Sequence, residues 1–142
     1  TRARASWPTY RPTDDCGILA IAHQISPYKG AVLYCPPVFE SVAPRSLQFR
    51  LGTPTAWILW LNGRQVFANA EYHRGMKLDQ YSVPVTLRTG SNTILLKSCQ
   101  TEQEQDWAQR YQFQIRTCSV SGIAVHSADP SARLPRSKEQ RP

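Results

Sequence analysis

The sequence predicts an all-β fold, a single two-sheet antiparallel β-sandwich, and three observations carry that expectation. Residues 57–67 read Trp-Ile-Leu-Trp-Leu-Asn-Gly-Arg-Gln-Val-Phe, an apolar strand that stops at Asn62-Gly63 and restarts. Asn-Gly between two such runs is the strongest short-range hairpin signal a sequence carries. Two other stretches alternate: Leu47, Phe49 and Leu51 against Ser46, Gln48 and Arg50, then Tyr111, Phe113 and Ile115 against Arg110, Gln112, Gln114 and Arg116. A period of two gives each one dry and one wet face, which places them as outer-sheet strands. Finally, Ser26-Pro27-Tyr28-Lys29-Gly30, Gly52-Thr53-Pro54 and Thr89-Gly90-Ser91-Asn92 supply turn chemistry, with φ fixed at proline and free to be positive at glycine.

Taken in order, strands are expected at 17–25, 31–35, 46–51, 56–61, 64–67, 82–88, 93–99 and 110–118, eight in all. The first, Gly-Ile-Leu-Ala-Ile-Ala-His-Gln-Ile, is apolar apart from its end. In the fourth, Trp57, Leu59 and Leu61 point to one face and Ile58 and Trp60 to the other, so both faces need cover and the strand belongs mid-sandwich. No helix-period segment of useful length and no internal repeat interrupts the series. With 142 residues and 41% hydrophobic content, the chain can bury the core of one domain without metals or cross-links. No apolar run reaches the roughly 18 residues of a membrane-spanning helix. The first residue is Thr1, which fits either a removed leader or a piece cut from a longer polypeptide.

A formal net charge of +7 suggests nucleic acid until it is located along the chain. Residues 1–12 hold Arg2, Arg4 and Arg11 and no acid, whereas 126–142 hold Arg133, Arg136, Lys138 and Arg141 against Asp129 and Glu139. Residues 13–125 keep only +2, with the bases scattered among eight acids, so no specific nucleic-acid partner is expected. The division is therefore an N-terminal arm at 1–12, a sandwich at 13–125 and a Pro- and Arg-containing tail at 126–142. The arms read either as solvated linkers or as segments laid on an acidic partner.

Cys16, Cys35, Cys99 and Cys118 fall at or near strand ends, with no C-x-x-C and no His spaced as a co-ligand, so neither zinc nor covalent haem is expected. An even count on a β-sandwich points to two disulfides and an extracytoplasmic location, periplasmic or secreted. If the first and last strands lie side by side and antiparallel, Cys16 pairs with Cys118 and Cys35 with Cys99. The competing scheme pairs Cys16 with Cys35 and Cys99 with Cys118.

The order of motifs resembles a known family. Phe49-Arg50-Leu51-Gly52 is followed by Trp60-Leu61-Asn62-Gly63 with Val66-Phe67, then Arg74-Gly75-Met76-Lys77-Leu78-Asp79-Gln80, Val83-Pro84-Val85-Thr86-Leu87 and Gly90-Ser91-Asn92-Thr93-Ile94-Leu95-Leu96-Lys97. Over residues 17–118 this is similar to the galactose-binding-domain-like jelly roll found in accessory modules of bacterial secreted proteins and in the sugar-binding domain of family 2 glycoside hydrolases. Many relatives place acids just before the core strand, where this chain has Thr53-Pro54-Thr55. The resemblance implies a jelly-roll sandwich used for adhesion or docking. It names no ligand, because these motifs specify the fold.

No enzyme is expected. His23 lies inside an apolar strand, and Glu71, Tyr72, His73 and Arg74 form a chemically dense loop without a nucleophile motif or a spaced second carboxylate. No cofactor is expected, although Asp14-Asp15 or Glu102, Glu104 and Asp106 could give oxygens to a structural calcium. Two binding readings stand. In the favoured one the chain is an accessory subunit docked on a larger protein assembly through Arg2, Arg4, Trp7, Tyr10, Arg11, Arg133 and Arg136, the residue types of interface hot spots. In the other it binds carbohydrate through Tyr72, His73, Arg74 and Trp107, an aromatic platform with polar groups beside it.

Overall fold

Asn62 and Gly63 both have positive φ, 50° and 79°, the backbone of a two-residue turn whose twist matches the strands it joins. In the computed structural model, which describes residues 18–21, 32–35, 38–72, 75–100 and 111–128, this turn links two of nine strands. They are β1 (Leu19–Ala20), β2 (Val32–Cys35), β3 (Val38–Ser41), β4 (Arg45–Gly52), β5 (Ala56–Leu61), β6 (Arg64–Asn69), β7 (Tyr81–Leu87), β8 (Gly90–Cys99) and β9 (Gln112–Cys118). One sheet has the order β1-β9-β4-β7; the other runs β2-β8-β5-β6, with β3 also on β8. All pairings are antiparallel.

The extra strand relative to expectation is β3. Val32 to Cys35 pair with Cys99 to Leu96, and Val38 to Ser41 pair with Thr93 to Gly90, in one unbroken register along β8. Pro36-Pro37 stands between the two halves, and proline has no N–H to give to a ladder. Two prolines thus read as a strand end in the sequence where the pairing resumes beyond them. Of the strand expected at 17–25, residues 18–21 are described; β1 takes only Leu19–Ala20 of them and pairs with β9, Leu19 opposite Phe113.

The two sheets close on a core of Leu19, Leu47, Phe49, Leu51, Val83, Val85, Leu87 and Phe113 from one side and Trp57, Leu59, Leu61, Ile94 and Leu96 from the other. Alternation along β4, β7 and β8 delivers these side chains inward, so each strand's hydrophobic period is spent on one interface. A register shift between Leu59 and Trp60 marks a bulge on β6, and both Val66 and Phe67 pack on the core there. The indole of Trp57 stacks on Phe67 at 4.8 Å between centroids and meets Tyr81 edge-on at 5.2 Å, which joins the open edges of the two sheets. β5 does lie inside its sheet, between β8 and β6, but its outward Ile58 and Trp60 are only half-buried.

The described chain stays docked beyond residue 125. Ser127 Oγ accepts from Glu40 N at 2.8 Å and Ala128 N donates to Glu40 O at 2.9 Å, which holds these residues against β3.

Candidate functional site

Cross-strand partners share a face, so the register of the five-stranded sheet fixes what its outer side displays. Trp60 lies opposite Leu95, Ile58 opposite Lys97, Ala56 and Val32 opposite Cys99, and Val38 opposite Thr93. Trp60, Ile58, Leu95 and Cys99 are half-buried, while Val32 and Val38 are about half exposed at 49% and 53%. Tyr72 joins this side from the loop after β6: burial, reinforced by Cys99 nearby and opposed by the Lys97 ammonium, pushes its phenol up from the usual range. The result is an aliphatic and aromatic strip with Lys97 within it, on the face opposite the core.

Part of the outer side of the other sheet is covered, while Ser46, Ser82, Pro84 and Thr86 along β4 and β7 stay exposed. Residues 75–80 cross it so tightly that a Cβ on Gly52 would collide with the carbonyl oxygen of Lys77. Gln112 Nε2 donates to Met76 Sδ at 3.2 Å, Thr53 N donates to Gln80 Oε1 at 3.3 Å, and Gln114 exchanges bonds with Asp79, accepting from its N–H at 3.0 Å and donating to its Oδ1 at 3.2 Å. Arg116 donates through Nε to Asp79 Oδ1 at 2.8 Å and through Nη2 to Oδ2, and through Nη1 to Gly122 O at 2.9 Å. Its guanidinium holds the Asp79 carboxyl below the usual carboxylate range. Arg50, directly opposite Arg116, lies 3.9 Å from the same carboxylate and donates to Gln48 Oε1 and Val120 O. Of the wet faces expected of β4 and β9, Gln114 is buried beneath this cover, Gln48, Arg50, Gln112 and Arg116 are half-buried, and Ser46 is exposed.

At the end of the sandwich where β8 leaves toward β9, the core turns polar. Thr53, Thr55 and Ser98 are buried and joined, Thr53 Oγ1 to Thr55 Oγ1 at 3.0 Å and Thr55 Oγ1 to Ser98 Oγ at 3.2 Å. Tyr111 OH donates to Ser98 O at 3.0 Å and Thr53 Oγ1 to Gln112 O at 2.9 Å. Thr53-Pro54-Thr55 thus ties the sheets together internally.

Among the residues singled out from the sequence, Tyr72 alone of the carbohydrate set is described; His73, Arg74 and Trp107 lie outside the described residues. So do Arg2, Arg4, Trp7, Tyr10, Arg11, Arg133 and Arg136, as well as His23 and the calcium candidates Asp14, Asp15, Glu102, Glu104 and Asp106. The disulfide scheme needs correction. Cys99 and Cys118 are free thiols, Cys118 buried with Sγ 3.7 Å from Gln48 O, so neither proposed pairing is formed through them. Register explains one failure: Cys35 lies opposite Leu96, three residues and about 10 Å along β8 from Cys99, beyond the roughly 7 Å that a bridge spans. Cys16 is outside the described residues.

What sequence reading missed is the outward role of Trp60 and the Arg50–Asp79–Arg116 cluster. A signal for the second existed: two alternating strands each place an arginine mid-way along the polar face, and such a pair needs an acid. With the geometry in hand, the chain is a two-layer antiparallel β-sandwich. Its sequence matches no family model and no curated protein, and no solved structure matches.

Proposed function

We propose that this chain is a non-catalytic interaction module, an accessory subunit or domain that docks on a larger protein assembly through the outer face of its five-stranded sheet. The observation that supports it is the difference between the two outer faces: Trp60, Ile58, Leu95, Val32 and Val38 line one, whereas residues 75–80 cover part of the other and leave Ser46, Ser82, Pro84 and Thr86 exposed there. An apolar strip with a central Trp, flanked by Lys97, Gln65 and Glu40, has the make-up of an interface core with a polar rim. From β3 onward the chain crosses between sheets at each connection except the β5–β6 hairpin, which supports the jelly-roll, galactose-binding-domain-like reading.

A second reading rests on one specific feature. Tyr72 and Trp60 belong to the same side, with Lys97 close to the phenol, and aromatic faces flanked by a polar donor suit a sugar ring. Carbohydrate binding is the alternative on the same surface. A glycan array and a protein cross-linking experiment, each run with the wild type, Trp60→Ala and Tyr72→Ala, separate the two. Protein adducts lost in Trp60→Ala, with a blank array, support docking. Array binding lost in both variants would transfer the face to carbohydrate.

A further inference from the structure

We propose that residues 75–80 are a strap held on the outer face of the four-stranded sheet by the charge of Asp79, which neutralises two arginines that otherwise repel. Arg50 and Arg116 are directly opposed across β4 and β9, and like charges at such a position destabilise a sheet. Among the described residues, Asp79 is the only acid within ion-pair distance of either arginine. The same two guanidiniums hold the hairpin at 119–123 through Val120 O and Gly122 O. Strap and hairpin therefore share one fastening.

The groups facing Asp79 are Arg50 from β4 and Gln114 and Arg116 from β9, with Lys77 on its own loop and the Cys118 thiol close enough to act on Arg116. Since the arginines hold the carboxyl in its charged form, fastening is complete above the pKa of Asp79 in the unfolded chain. It is lost as pH falls through the lower, folded value. Acid then leaves two cations facing each other, and the strap and hairpin lift together.

The test uses Asp79→Asn. Asp79 has φ 54°, a conformation Asn also tolerates, so this change removes charge and little else. Hydrogen exchange at pH 7 should accelerate about tenfold or more at amides 75–80 and 119–123 while β5 and β8 stay protected. Arg116→Gln, which keeps the acid but removes its bidentate partner, should loosen the same two segments. The decisive reading is a change of sign: Arg50→Gln lowers Tm in the wild type and raises it in the Asp79→Asn background, where it relieves repulsion. Unchanged exchange in both single variants, or the same sign for Arg50→Gln in both backgrounds, would overturn the proposal.

Discussion

At Asn92 a single buried amide organises the turn into β8. Its Nδ2 donates to Arg88 O at 2.9 Å and Gly90 O at 3.0 Å, and its Oδ1 accepts from Arg88 N and from Asn62 Nδ2, both at 3.0 Å. Asn62 in turn accepts from Thr93 N at 2.8 Å, which ties the hairpin to the start of β8. Asn92 is fully buried, so removing its side chain strands several polar groups away from water. Asn92→Ala is expected to cost about 3 kcal/mol, read as a lowered denaturant midpoint with an unchanged slope. A cost of a few tenths would mean that water replaces the amide. Gly52 makes a comparable demand for a steric reason, because any Cβ there meets the Lys77 carbonyl. Gly52→Ala should destabilise by about 1–3 kcal/mol in the same measurement, and Arg50→Gln should partly mask that loss if the strap has already shifted.

Among the elements, those with a clean period were legible and those shaped by a neighbour were not. β4 and β9 could be read from alternation, and β5–β6 from Asn62-Gly63, because local sequence alone dictates those backbones. β3 was hidden behind Pro36-Pro37, since its register is imposed by β8 and not by its own four residues. β7 carries Pro84 on the edge of its sheet, where a missing N–H discourages a further strand. Cysteine positions misled because closeness to strand ends says nothing about register, and register places Cys35 away from Cys99. The two free thiols give a direct check at this scale: alkylation after unfolding without reductant should label Cys99 and Cys118 in full, whereas protection of either would mean that it is bridged.

For the whole molecule, the docking proposal rests on which outer face carries apolar side chains. The candidate site was only half legible, because Trp60 reads as core in a strand apolar on both sides and only the sheet order shows that its face points away from the core. The cover on the other face depends on Asp79, the only acid of residues 75–80, whose partners lie 29 and 37 residues away in sequence. Replacing Leu95 by Lys should leave cooperative melting within a few degrees of the wild type, since surface changes outside the core usually cost about 0.5 kcal/mol or less, while weakening docking. The most direct test of the docking face places a photo-reactive phenylalanine analogue at Trp60, and in a second protein at Thr86 on the outer side of β7, within the full-length polypeptide in its native cells. The account expects protein adducts from position 60 and none from 86. Adducts from 86 with none from 60 would contradict it and move the interface to the other sheet.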